Sequence, residues 1–261
     1  MGGHKGGPSI FYITPGIIII VNHIYQTMHE VEFRNIGTVE YNEAWQYQEN
    51  LFNEIIEIKK QNNDLPLDHQ LETPNYLLFC EHPHVFTLGK SGEAENLLVD
   101  MLQLSAKHAS FVKTNRGGDI TYHGPGQIVG YPILNLSYFV KGAREYIDKL
   151  EEAIIQTLLV YNIKSERLEG ATGVWLDTQI KGRTRKICAI GVRTSHWVSM
   201  HGFAFNVNTD LNYFNLINPC GFTDKTVTSL EKELGRQIPM EEVKQILREK
   251  IAEVFNFKLI V

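Results

Sequence analysis

Apolar positions along this chain switch between two spacings. Val31-Glu-Phe-Arg34 alternates apolar and polar, which predicts a strand. Ala44, Trp45, Gln48, Leu51, Phe52, Ile55 and Ile56 then recur every three or four residues, predicting an amphipathic helix over residues 42–60. Gln61-Asn-Asn-Asp-Leu-Pro66 ends it with loop chemistry. Tyr76-Leu-Leu-Phe-Cys80 is a short apolar run, read as a buried strand, and Glu81-His-Pro-His84 breaks it before Val85-Phe-Thr-Leu88. Gln127 to Leu134 reads as a strand in which Pro132 marks an edge or a strand end. Tyr146, Ile147, Leu150, Ile154, Leu158 and Tyr161 give a second helix, residues 142–161. Gly173-Val-Trp-Leu176 and Ile187-Cys-Ala-Ile190 are expected to pair, with polar, basic Asp177 to Lys186 as the turn between them. Gly202 to Val207 is a further strand. Pro239 suits the first position of a last helix, with Val243, Ile246, Leu247 and Ile251 inward, and Phe255 to Val261 closes the chain as a strand. Strands outnumber helices and come in neighbouring runs, so the expected class is α+β: one mixed sheet with helices on a face.

One stretch resists both spacings. Arg116-Gly-Gly-Asp-Ile-Thr-Tyr-His-Gly-Pro-Gly-Gln127 is too rich in glycine for an element interior, yet Asp119-Ile-Thr-Tyr122 alternates like a short strand. It reads as a close Gly117-Gly118 approach, a strand and a turn at Gly124-Pro125-Gly126, with Arg116, Asp119, Tyr122 and His123 presenting polar groups around whatever lies beside it. The bland alternative is an ordinary hairpin with a glycine-rich turn.

Composition narrows the class. A chain of 261 residues, 43% hydrophobic, buries a core without disulfides or metal. A net charge of -5 gives no global basic field to recruit nucleic acid. Three widely spaced cysteines without a CxxC suit a reducing compartment. Ile10 to Val21 is apolar, but Pro15-Gly16 interrupts it, no small-x-small site follows, and it falls short of the roughly 20 residues a bilayer span takes. Residues 1–30 are therefore read as an extension, disordered or non-native, and residues 31–261 as a single catalytic domain with its core at about 72–258.

Cys220, in Asn218-Pro-Cys-Gly-Phe222, sits on a turn, whereas Cys80 and Cys188 lie in apolar runs. A loop thiol can be presented to a cleft, which makes Cys220 the nucleophile candidate; a packed loop thiol is the bland reading. A reactive thiol needs a nearby cation. Lys181, Arg183 and Arg185 read as a solvated face, but Lys186 abuts an apolar strand and can be held over a cleft as cation and base. His82, His84, His123, His196 and His201 lie in the same domain without metal-ligand spacing, and neither GxGxxG nor GxxxxGK[ST] occurs.

Set together, these stretches resemble the lipoyl(octanoyl) transferases from about Val31 to the C-terminus. Glu81-His-Pro-His-Val-Phe-Thr-Leu-Gly89 is similar to that family's early block, and Arg116 to Pro132 to its signature. Lys186-Ile-Cys-Ala-Ile-Gly-Val-Arg193, His201-Gly-Phe-Ala-Phe-Asn-Val207 and Asn218-Pro-Cys-Gly221 follow in family order. Phe205 stands where Leu is common and His84 where a second Pro is usual. The resemblance implies the catalytic fold shared with biotin and lipoate protein ligases. It implies transfer of an octanoyl group from acyl carrier protein to one lysine of a lipoyl domain, the first step of protein lipoylation, in the cytoplasm. The implied acceptors are lipoyl domains of 2-oxoacid dehydrogenase complexes and the glycine cleavage H protein, with no nucleic acid or membrane partner. It implies Cys220 as acyl carrier and Lys186 as its cation and base. The implied substrate pocket is Arg116, Gly117, Gly118, Asp119, Ile120, Thr121, Tyr122 and His123, with Ala189, Ile190, Gly191, Gly202, Phe203 and Ala204. No metal and no cofactor is implied beyond the phosphopantetheine of the donor, and Lys181–Lys186 is the expected docking patch for acidic partners. An ATP-dependent ligase, an amidotransferase moving acyl groups between lipoyl-type proteins, and a non-enzymatic binder of acylated proteins stay open as alternatives.

Overall fold

The computed structural model describes residues 28–218 and 225–261, and the backbone of two short strands, β1 (Phe11–Tyr12) and β2 (Ile18–Ile19), which pair antiparallel. Most of the expected extension over residues 1–30, and Cys220 with Pro219 and Gly221, lie outside the described residues.

The alternating runs become a nine-stranded mixed sheet. In spatial order it runs β14 (Lys258–Ile260), β3 (Glu30–Thr38), β4 (Tyr76–Glu81), β8 (Gln127–Ile133), β12 (Val198–Asn206), β11 (Arg185–Ser195), β10 (Ala171–Leu176) and β9 (Glu166–Leu168). A ninth strand, β13 (Thr226–Val227), pairs parallel to β11. From β14 to β4 the pairing is parallel; from β4 to β9 it is antiparallel. A smaller sheet holds β6 (Ser110–Lys113), β5 (Val85–Leu88) and β7 (Ile120–His123) in that order.

Period-2 alternation sorts the central strands between two cores. Leu77, Phe79, Ile128, Phe203 and Phe205 pack with α3 (Ala143–Val160) and α5 (Met240–Phe255). Tyr76, Leu78, Cys80, Val129, Tyr131, Met200 and Ala204 pack with α1 (Tyr41–Asn62) on the other side. Helices thus cover both faces, not one, because these strands are apolar at odd and even positions alike. A third cluster joins Phe86, Leu88, Ile120 and Tyr122 of the small sheet to Leu104 of α2 (Met101–Ala106) and to Ile217. The short α4 (Leu230–Leu234) is capped by the Ser229 side chain.

Two local expectations change, and two readings that offered alternatives are resolved. β8 is central, between β4 and β12, so of the two readings of Pro132 the strand end holds: it is the penultimate residue of β8. Pro132 is tolerated because the β12 ladder pairs only Gln127 to Gly130 of β8. Beyond it the Ser199 hydroxyl donates to the Pro132 carbonyl at 2.9 Å and accepts from the Leu134 N–H at 3.1 Å. Pro239 is the N-cap of α5 rather than its first residue. Phe255 ends that helix, and the last strand starts only at Lys258. Arg116 to Gln127 follows the strand-and-turn reading and not the hairpin alternative: β7 pairs with β5, whereas β8 joins the large sheet. Gly126, at φ 78°, makes the passage between sheets; a Cβ there would stand 2.5 Å from the Asn208 carbonyl oxygen.

Candidate active site

Helix α1 covers only part of its face of the sheet. Beyond its first residue, Tyr41, the floor is exposed to a cavity of about 570 Å³. The floor is nearly free of side chains, because small residues stand directly opposite one another: Ala189 against Ala204 and Gly191 against Gly202. Ile190 and Phe203 join the lining, and Gly118, Asp119, Ile120, Thr121 and His123 form a wall with Arg116.

A β-bulge brings Lys186 to this face. In a regular strand Lys186 and Ala189 would project to opposite sides, since they are three residues apart. Val174 pairs with Cys188 but Trp175 with Lys186, so β11 carries one extra residue there. Ile187 and Cys188 consequently both bury in the core under α3 and α5, while Lys186 and Ala189 both line the cavity. The Lys186 ammonium donates to the Thr172 carbonyl at 3.2 Å and lies 4.4 Å above the centre of the Trp175 ring. The indole is itself fixed by donating to the Ala171 carbonyl at 2.9 Å.

Both described flanks of the Cys220 stretch reach the same cavity. Ile217 and Asn218 line it on one side, and Lys225, Thr226 and Val227 on the other. Asn218 is tied by its N–H to the Asn96 carbonyl at 2.8 Å. Val227 stands in register beside Lys186, and the Thr228 N–H donates to the Lys186 carbonyl at 2.9 Å. Cys80 and Cys188 are fully buried, and burial pushes both thiols far up.

Two predicted pocket residues are placed elsewhere. Alternation on β7 sends Thr121 and His123 to the cavity and Tyr122 to the opposite side. Tyr122 stacks on Tyr213 at 4.9 Å, and its hydroxyl meets His84 Nδ1 at 2.7 Å. Gly117 lies flat on β11, its N–H donating to the Val192 carbonyl at 2.9 Å; a Cβ on Gly191 would come within 2.8 Å of the Gly117 oxygen. This glycine pair serves chain packing. Arg185, read as part of a solvated face, is instead held between Asp177 at 2.5 Å and Glu233 at 2.7 Å.

Several lining residues were not predicted: Tyr41, Gln127, Tyr131, His201 and Asn206. Parity carried a signal for some of them. Gln127, Val129 and Tyr131 alternate on β8, and Gly202, Ala204 and Asn206 on β12. The Arg116 guanidinium is buried and donates to Thr87 Oγ1 at 2.8 Å and to its carbonyl at 2.6 Å. His123 and His201 lie close enough to feel its charge, and His82 is buried against His123. His82 donates from Nδ1 to the Val39 carbonyl at 2.7 Å, and its Nε2 accepts from the Tyr131 hydroxyl at 2.7 Å. Gln127 spends its amide N–H groups on Tyr122 and Asn206, so its oxygen accepts from His123 Nδ1 at 2.8 Å. Asn115 donates its amide toward Glu49 at 3.4 Å, so its oxygen accepts from His201 Nε2 at 2.6 Å.

These rings are neutral. Burial brings His82 down to about 4; burial, then Arg116 and Arg193, bring His201 down to about 3. His123 lies well below its ordinary value through burial, then His82 and Arg116. The unfolded chain binds these protons near 6.5, the folded chain only much lower. Stability contributed by the neutral rings is therefore complete above about pH 6.5 and is lost as pH falls toward 4. By pH 5 the expected loss is about 2 kcal/mol per ring. Urea denaturation at pH 7.5 and 5.0 checks this; equal midpoints would remove the neutral cluster.

Comparison with known proteins agrees with this geometry. The family model for the lipoyl protein ligase A/B catalytic domain matches residues 40–252. An octanoyltransferase of Christiangramia forsetii is 56% identical over 231 residues, 88% of this chain and 97% of the relative. One of Cytophaga hutchinsonii is 49% identical over 89% of this chain and 96% of the relative. Among solved structures, the bipartite lipoate protein ligase of Thermoplasma acidophilum superposes with a TM-score of 0.62 at 15% identity, covering 89% of this chain and 88% of that one, which establishes the shared fold. Identity of this order across nearly the whole length of both chains places the protein in the lipoyl protein ligase A/B catalytic-domain family and, within it, among the octanoyltransferases.

Proposed function

We propose that the protein moves an octanoyl group from octanoyl-acyl carrier protein to a lysine of lipoyl domains through a thioester on Cys220. The observation that supports this reading most is the convergence on one cavity of bulge-directed Lys186 and both flanks of the Cys220 stretch. Asn218, two residues before Cys220 in the sequence, lines that cavity.

The proton cycle closes. Lys186 takes the Cys220 proton and, as ammonium, stabilises the thiolate. The thiolate attacks the acyl carbonyl, and the phosphopantetheine thiolate leaves, taking the proton from Lys186. One thioester replaces another, so no nucleotide is needed. The acceptor lysine then attacks the Cys220 thioester, giving its proton to the now neutral Lys186 amine, and the Cys220 thiolate is restored. The flat Ala–Gly floor suits the alkyl chain, whose burial contributes about 0.8 kcal/mol per CH₂. Arg116, Gly118 to Thr121, His123 and the floor residues are the proposed acyl contacts. No cofactor is required beyond the donor's phosphopantetheine arm. No described helix is long and apolar enough to cross a membrane, and the proposed site of action is the cytoplasm.

The test mixes purified protein with octanoyl carrier protein and a lipoyl domain, without ATP, and weighs the lipoyl domain. One added octanoyl group is expected. Transfer from free octanoate and ATP, with none from the thioester, would favour the ligase chemistry instead.

Docking is proposed to use Lys181 and Arg183, which are exposed, while Arg185 is committed to Asp177 and Glu233. Lys181→Glu with Arg183→Glu should raise KM for carrier protein severalfold at low salt, with kcat little changed. An unaltered KM would move the docking surface elsewhere.

A further inference from the structure

Behind β10, on the α3 side, lies a buried carboxylate that the proton cycle does not use. Glu151 of α3 is 2% exposed. A carboxylate taken out of water needs well-placed partners. Glu151 Oε2 lies 3.1 Å from Nε of the partly exposed Arg167, and Oε1 accepts from the Gly173 N–H at 2.9 Å. The second bond leads to the site. The Gly173 N–H and the Thr172 carbonyl belong to one peptide group, and that carbonyl accepts from the Lys186 ammonium at 3.2 Å. The peptide is trans, so its two ends point in opposite directions. Its N–H is held from α3, and its carbonyl faces the cavity that Thr172 and Lys186 line.

Strand register explains why this peptide is available. In a regular strand a peptide lies in the sheet and bonds sideways to its neighbours. Thr172 and Gly173 fall in a break of both ladders: pairing with β9 steps from Ala171 to Val174, and pairing with β11 starts at Val174. Gly173 takes φ 120°, and a Cβ on it would stand 2.5 Å from the Cys188 carbonyl oxygen, so glycine is needed for the peptide to turn across the sheet. Turning gives up ladder bonds, and a buried N–H left unmatched would cost about 1–3 kcal/mol. Glu151 supplies the acceptor that keeps the turned peptide satisfied.

We propose that Glu151 is a positioning residue for acyl transfer: it holds the Thr172–Gly173 peptide across the sheet, and the Thr172 carbonyl in turn fixes the Lys186 ammonium above Trp175. This rests on the octanoyl-transfer reading, in which Lys186 serves both halves of the reaction. A lysine ammonium rides on a long, flexible stem, and the carbonyl and the indole together restrict where it sits. Glu151 itself does not line the cavity and acts through the peptide.

Two experiments decide it. A crystal structure of the wild-type protein should show the Thr172 carbonyl oxygen within about 3.3 Å of Lys186 Nζ, and the Gly173 nitrogen within about 3.2 Å of the Glu151 carboxylate. A peptide turned the other way, or lying in the ladder, overturns the proposal, and this arm needs no variant to fold. In solution, Glu151→Leu should lower kcat for octanoyl transfer about tenfold, with KM for carrier protein within about twofold of wild type. Glu151→Gln keeps an acceptor for the Gly173 N–H and should recover most of that loss. In a Lys186→Ala background, Glu151→Leu should cost less than about twofold, because the group it positions is gone. Equal losses in both backgrounds, or a glutamine variant as slow as the leucine one, would make Glu151 a packing residue and overturn the proposal. Failure of the wild type to transfer octanoate at all would instead sink the parent reading, so the two failures are distinguishable.

Discussion

Cys220→Ala is expected to lower octanoyl transfer at least about a thousandfold, with no octanoyl adduct forming on the enzyme. The loss is large because no other described thiol can take over. Cys80 and Cys188 are both fully buried, and burial disfavours their thiolates. In the native wild type, an alkylating reagent should therefore leave these two unmodified until the chain unfolds, while Cys220 reacts. Intact-mass measurement after mixing with octanoyl carrier protein should find one octanoyl group, mapped to Cys220 by peptide analysis. Wild-type rates in the alanine variant would remove the thioester intermediate and with it the proton cycle.

Lys186→Ala is expected to lower transfer by about a hundred- to ten-thousandfold. It should also move the pH profile for Cys220 alkylation up toward the free-thiol value of about 8.5. Lys186→Arg separates the two roles given to this residue. A guanidinium keeps the positive charge but does not give up its proton near neutrality. The arginine variant should therefore still form the acyl-enzyme and stall there, whereas the alanine variant should be slow in both halves. Stopped mixtures weighed over time distinguish these outcomes. An alkylation profile that is the same in wild type and Lys186→Ala would show that the ammonium does not act on the sulfur.

Much of the architecture was legible because the forces involved are local. The α1 pattern predicted residues 42–60, and the helix spans Tyr41–Asn62 with the expected apolar stripe inward. The apolar runs at Tyr76 and Gly202 became strands buried on both faces. Cys80 and Cys188, placed in apolar runs, are core residues. The cavity-lining role of Gly118 to Thr121, His123 and the Ala–Gly floor followed from the family signature rather than from spacing. The misreadings have a common origin. Tyr122 and Gly117 sit inside the signature, but β7 alternation and the contact with β11 direct them away from the cavity. Pro132 by itself reads as either an edge or a strand end, because a strand's own residues do not report where its neighbour stops pairing; it stands at the strand end. Arg185 looked solvated because Glu233 is 48 residues distant in the chain.

Periodicity, turn chemistry and cysteine context are properties of a few consecutive residues, and these determined the elements, the α+β class and the choice of Cys220 and Lys186 as candidate reactive groups. Which face Lys186 occupies depends on an offset between β10 and β11, and no pattern within either strand encodes it. The neutral state of His82, His123 and His201 likewise arises from burial by distant segments. Desolvation and register are set by what packs from elsewhere in the chain, so the tertiary structure alone decided them.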